Sequence, residues 1–311
     1  MRAERGRVWL AIVVAAVGWG LGGVATRAAF DQGLGPFTIT AMRALIAAAA
    51  VFAYSLARGR RFPRDARIWR LGLLLGTTNL WLPYILMTLA VQHASAGFVG
   101  LLIANMPIAT AVWAHLLLDD ERLHRAKAVG LGIAAAGVAV LIASGDTGLG
   151  EEGNPLLAIG LSMGAIAAAS LGAVVARRHA PSLAVLDLAG PQFVVGAAVM
   201  LILMAVTEGG PGGATAVGWV LVVSMALGST FLPFTLFYWT VQRVPSTTAM
   251  LNGYLVPLVS LAAGALLLDE RVTAGIGFGG ALILIGVVAA GRAEARRAPP
   301  APTIVAVEPT D

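Results

Sequence analysis

The sequence predicts an all-α integral membrane protein in which ten transmembrane helices form two inverted five-helix repeats. Three observations carry this reading. Only 12% of the 311 residues are charged while 58% are hydrophobic, about half the charge of an ordinary soluble domain. Apolar runs of about 20 residues, enough to span a bilayer as a helix, recur along the chain. The chain also resembles itself when shifted by 150 residues.

The spans follow in order. The first, about 8–30, follows Arg2, Arg5 and Arg7; its basic start and apolar core resemble a signal peptide. The apolar run continues to Phe30 and more spans follow, so it is read as an uncleaved first helix. The second, 35–57, ends in the arginine-rich stretch that begins at Arg58. The third and fourth, 68–90 and 95–117, are separated by a short break. Asp119–Arg122 precedes the fifth, 124–143, and GDTGLGEEGN (145–154) precedes the sixth, 155–178. The seventh, 182–206, ends in TEGGPGG (207–213). The eighth and ninth, 215–240 and 245–268, again have a short break between them. Asp269, Glu270 and Arg271 separate the ninth from the tenth, 272–291, and the two acids are expected to sit at the positive N-terminal end of that last helix. Residues 292–311, rich in Pro, Ala and charge, read as a disordered cytoplasmic tail.

Eighteen of the 21 basic residues fall at one face of this ten-span topology; Arg27, Arg43 and Arg271 are the exceptions. The bias toward Lys and Arg in cytoplasmic loops predicts cytoplasmic termini in a plasma-membrane protein. The net charge of +5 is accounted for by these loops, which face anionic lipid. Nucleic acid is not an expected partner. The chain has no cysteine and four histidines without metal-ligand spacing, so no metal or cofactor is expected. Its only lysine is Lys127 and it has no phosphate-binding loop, which argues against ATP-driven transport by this chain alone. Monomer and homodimer are both left open.

The repeat is specific in its landmarks. Leu82-Pro83 matches Leu232-Pro233, Pro107 matches Pro257, Trp69 matches Trp219, and Leu116–Asp119 matches Leu266–Asp269. With five spans per copy (8–143 and 155–291), the second copy enters the membrane from the other side, which is the architecture of many secondary transporters. GWGLGGVATR (18–27), PFTITAMR (36–43), ANMPIATAVWAHLLLDDER (104–122) and GYLVPLVSLAAGALLLDER (253–271) resemble the drug/metabolite transporter superfamily, ten-span type with two EamA domains. The resemblance covers about residues 8–291. It implies export or exchange of small metabolites such as amino acids, or of drugs, through a central cavity, and it implies no enzyme.

Pro83, Pro107, Pro233 and Pro257 lie within spans three, four, eight and nine. Each removes a backbone hydrogen bond that lipid cannot replace, so they point to the cavity. Around them cluster Asn79, Trp81, Tyr84, Asn105, Ser229, Thr230, Phe234, Asn252 and Tyr254, with Trp19 and Trp239 as further cavity candidates. The alternative is helix packing. Arg43 lies about seven residues into span two, roughly 10 Å deep. It is read as a cation for a substrate carboxylate, as an ion-pair partner of Asp31, or as a side chain snorkelling to the interface. Its counterpart in the second copy is Phe193. If protons are coupling partners, the candidates are Asp187, Asp31 and His93. Gly18/Gly22, Gly72/Gly76, Gly160/Gly164 and Gly275/Gly279 predict close helix contacts. A membrane enzyme and a non-transporting scaffold are the competing classes.

Overall fold

The computed structural model describes residues 2–59, 63, 65–117, 125–149, 153–179, 185–241 and 252–295. All regular structure among them is helical. The first half holds α1 (Arg2–Phe30), α2 (Pro36–Ala57), α3 (Ala66–His93), α4 (Ala96–Leu117) and α5 (Arg125–Ser144). The second holds α6 (Pro155–His179) and α7 (Val185–Thr207), then α8 in three segments, Ala216–Ala226, Leu227–Phe231 and Leu232–Val241. It finishes with α9 (Asn252–Leu267) and α10 (Ala274–Ala295). Seven of these helices are long and apolar enough to cross a bilayer; α5, α9 and α10 carry shorter apolar stretches. The chain is an all-α, multi-pass membrane protein. Asp119–Arg122 and the expected opening of span nine, 245–251, lie outside the described residues.

The helices start where short polar side chains satisfy first-turn amides. Asp65 caps α3, Ser95 caps α4 and Thr215 caps α8. Thr273 Oγ1 accepts from the Ile276 amide at the start of α10 (3.2 Å). Glu270 does not serve that helix. Glu270 reaches across to α4, where its carboxylate accepts the amides of Ala96 (2.7 Å) and Gly97 (3.0 Å). Nearness in sequence favoured α10, but the tertiary packing places the carboxylate on a helix of the other repeat. Glu208 at the end of α7 does the same for α2, accepting the amides of Phe37 (2.9 Å) and Thr38 (2.8 Å).

The two halves interlock. α1 packs against α8 and α9, and α6 packs against α3 and α4, so each half's first helix belongs spatially to the other half. α2 pairs with α7, α4 with α9 and α5 with α10. The α5–α10 contact shows the symmetry directly. A Cβ on Gly130 would lie 2.6 Å from the Gly286 carbonyl oxygen, and one on Gly137 would lie 2.6 Å from that of Gly279. Under the repeat Gly130 corresponds to Gly279 and Gly137 to Gly286. Crosswise contact of equivalent residues requires antiparallel helices around a twofold axis, as an inverted repeat demands.

The proline breaks lie where the sequence places them but take two forms. In α3 and α8 a π-helical segment, Gly76–Trp81 and Leu227–Phe231, immediately precedes Leu82-Pro83 and Leu232-Pro233. The wider turn moves aside the carbonyl that the proline ring would strike. In α4 the helix stops at Ala104–Asn105 and restarts at Met106, whereas in α9 Pro257 sits inside a continuous helix. The small-residue pairs are in contact as expected at Gly18/Gly22, Gly72/Gly76 and Gly275/Gly279. Gly160 is the exception, with no atom within 4 Å of its would-be Cβ.

Candidate functional site

Arg43 organises the centre of the bundle. It is 7% exposed, so it neither snorkels nor faces lipid. Its Nε donates to Thr230 Oγ1 (2.5 Å) and its Nη2 donates to the Ser229 carbonyl (2.9 Å). Both acceptors belong to the π segment of α8. Ser229 is four residues before Pro233, so its carbonyl is the one the proline deprives of a regular helical donor. Arg43 supplies that donor from the other repeat. Its guanidinium carbon lies 4.3 Å from the centre of the Tyr84 ring, within cation–π range. Asp31 is exposed in the turn after α1 and does not pair with Arg43.

The local sequence explains the approach. Gly22 lies where a Cβ would be 3.4 Å from Arg43 Nη2 and from Ser229 Cβ, so α1 fits closely over both groups. Gly18, one turn earlier, packs on the Gly228 carbonyl and the Pro233 ring. Thr230 is held in turn by donating to the Met225 carbonyl (3.1 Å).

A small internal space abuts Arg43, lined by Thr40, Arg43, Ala44, Leu80, Trp81, Tyr84 and Thr230. Its free volume of about 10 Å³ is room for about one water molecule. Of the residues singled out from sequence, Arg43, Trp81 and Tyr84 meet here, and buried Pro83 lies between the last two in sequence. Thr40 was not singled out, although it lies three residues before Arg43 on the same helix face. Thr230, expected from sequence as a hydroxyl flanking Pro233, meets them here.

Trp19 and Phe234 belong to an adjoining aromatic cluster. Their rings meet edge-on at 5.7 Å, Trp19 also meets Phe237 at 5.7 Å, and Phe193 meets Phe234 at 5.7 Å. Tyr238 extends the cluster, with Gln192 Nε2 donating to its hydroxyl (3.3 Å). Gln192 Oε1 is buried without a hydrogen-bond partner. Nothing in the sequence reading signalled Gln192.

The other candidates are dispersed. Asn79 faces α6, its Oδ1 lying where a Cβ on Gly172 would be. Asn105 donates to the Leu102 carbonyl (3.0 Å), mending the break in its own helix. The Pro107 ring packs against Gly253, 3.3 Å from its would-be Cβ, at the α4–α9 crossing that also holds Pro257. Trp239 is partly buried near the end of α8. The side chains of Asn252, Tyr254 and Asp187 are outside the described set. Asp31 and His93 lie at the bundle end where α1 and α3 finish, away from Arg43. Among the described residues no cluster suits a metal ion.

Antiparallel five-helix repeats around a buried polar site define a polytopic membrane protein of transporter type. Comparison with known proteins makes this specific. The EamA-like transporter family matches residues 7–143 and again 156–292, and the chain belongs to that family. It is similar to the uncharacterized transporter YvbV of Bacillus subtilis (strain 168), with 24% identity over 286 residues, 90% of each chain. A solved crystal structure of a protein shares the fold with a TM-score of 0.67 at 21% identity, over 93% of this chain and 99% of that one.

Proposed function

We propose that this protein is a secondary transporter that exports or exchanges small organic metabolites, such as amino acids and related solutes, across the plasma membrane by alternating access. The observation carrying this reading is the buried contact between Arg43 of one repeat and the proline-broken α8 of the other. A polar group that bridges two symmetry-related halves is placed where their relative movement would be felt. The family match over both halves supports transport in general. Two near-equivalent halves supply two near-equivalent states, one open to each side. The basic loops orient both termini to the cytoplasm.

The test is flux of radiolabelled amino acids from proteoliposomes holding the purified chain. Saturable, protein-dependent movement of at least one such solute is expected. A second reading, efflux of lipophilic or cationic drugs, draws on the aromatic cluster around Trp19, Phe234 and Phe237, whose faces attract cations. Efflux of lipophilic cations without movement of any amino acid would reverse the ranking.

A further inference from the structure

Among the described residues Arg43 is a buried cation without a counter-ion. None of the carboxylates among the described residues pairs with it. Glu208 and Glu270 cap helix starts, Asp65 caps α3, Asp146 lies beside Gly275 in the loop after α5, and Asp31 and Asp269 are exposed. Asp187 is the third residue of α7, at the bundle end opposite the start of α2. What surrounds the guanidinium is an aromatic face, a carbonyl and hydroxyls: Tyr84, Ser229, Thr230 and, across the internal space, Thr40. A charge taken out of water costs much unless it is paired. Hydroxyls and a carbonyl hold the guanidinium in place but leave its charge uncompensated.

We infer that the transported solute supplies the missing anion: its carboxylate binds Arg43 in the space lined by Thr40, Tyr84 and Thr230, displacing Arg43 from α8. This rests on the transporter reading above and names the substrate class of the same site. The guanidinium suits a carboxylate because its N–H groups form a planar fork that matches two oxygens. The internal space admits about one water molecule, so a carboxylate enters only as the surroundings yield. The bonds that must yield are those from Arg43 to Ser229 and Thr230, which tie α2 to α8. Binding and loosening of the inter-repeat contact are therefore one event. Charge-assisted bonds to the substrate replace the bond to Ser229, whose carbonyl is then left to the widened π turn.

The test uses the purified full chain and two readouts. Thermal unfolding is followed with the proteinogenic amino acids and with straight-chain monocarboxylates, each beside its primary amide, and with sodium chloride. A ligand that binds only the folded state raises the midpoint. At least one carboxylate should raise it saturably, while its amide and chloride do not. Arg43→Gln keeps an N–H for the Ser229 carbonyl and removes the charge; it should weaken that response at least tenfold, whereas Arg43→Lys retains part of it. Equal responses to acid and amide, responses to chloride alone, or an unaltered response in Arg43→Gln would overturn the inference. Flux of the same solutes from proteoliposomes separates the two levels. Flux of uncharged or cationic solutes that Arg43→Gln leaves unchanged overturns the anion site and keeps the transporter. Stabilisation by carboxylates without flux of any solute keeps the anion site and overturns the transporter.

Discussion

The breaks at Pro83 in α3 and Pro233 in α8 are copies of one another, and they are dressed differently. Each follows a π segment, and each lies beside the second helix of a repeat. Beside Tyr84 stands Arg43, over the ring; beside the matching Phe234 stands Phe193, edge-on to the ring and 1% exposed. The first pair is a cation on an aromatic face and reaches over to mend the Ser229 carbonyl. The second pair is hydrocarbon against hydrocarbon. Both copies widen the helix before a proline, which only backbone geometry requires. Of these two matched positions, only the one in the first copy carries a charge.

This comparison can be broken at several strengths. The largest effect is expected from Phe193→Arg, which copies the first repeat's chemistry into the second. The new charge would meet Phe234 and Tyr238 rather than a prepared set of acceptors, and an uncompensated buried charge costs about 3–5 kcal/mol. Loss of the folded fraction on size-exclusion chromatography is the expected result; a normally folded, normally stable variant would show that the second site is equally ready for a cation. The reverse swap, Arg43→Phe, should cost about 2–3 kcal/mol, the worth of a hydrogen bond to a charged group. It should still fold, because its twin does, and it should lose transport entirely in proteoliposomes.

A smaller effect separates the helices that press on the two breaks. Gly18 packs on backbone at Gly228, whereas its counterpart in the second repeat is Ala168. Gly18→Ala is expected to cost about 1–3 kcal/mol through overpacking. Gly22→Ala, whose Cβ would meet its nearest neighbours at 3.4 Å, should cost less than Gly18→Ala, because that separation is ordinary van der Waals contact. Equal thermal midpoints for the two variants would mean that α1 yields as freely at Gly18 as at Gly22. The smallest effect should come from Glu208→Gln and Glu270→Gln. Each keeps an acceptor oxygen but removes the charge from a helix N-terminus, costing about 0.3–1 kcal/mol. Chemical denaturation of the two variants should give similar, small losses, because both carboxylates tie one repeat to the other at the same end of the bundle.

Some of this is legible in the sequence alone. The four prolines announced themselves by matching at a constant offset, because a missing N–H has the same consequence in any membrane helix. The depth of Arg43 followed from counting residues at about 1.5 Å each. Its partner did not. Asp31 is twelve residues away in sequence and carries the opposite charge, yet the guanidinium instead serves a carbonyl 186 residues on. Glu270 misled in the same way, since the helix it caps is α4 and not the next in the chain. Asn105 and Asn79 share a residue type and proximity to a proline. One mends its own helix and the other packs on α6.

The sequence by itself determined the solvent, the helices, the inverted repeat and the positions of the breaks. These depend on local composition and on period, which are written along the chain: too few charges for water, runs long enough for a bilayer, an odd number of spans between copies. Only the tertiary structure decided which orphaned carbonyl meets which donor, which carboxylate caps which helix, and which aromatic rings touch. Those pairings join residues that the crossing of α1 and α6 between halves brings together, and a side chain's partner across such a crossing is set by where neighbouring backbones lie, not by its neighbours in sequence.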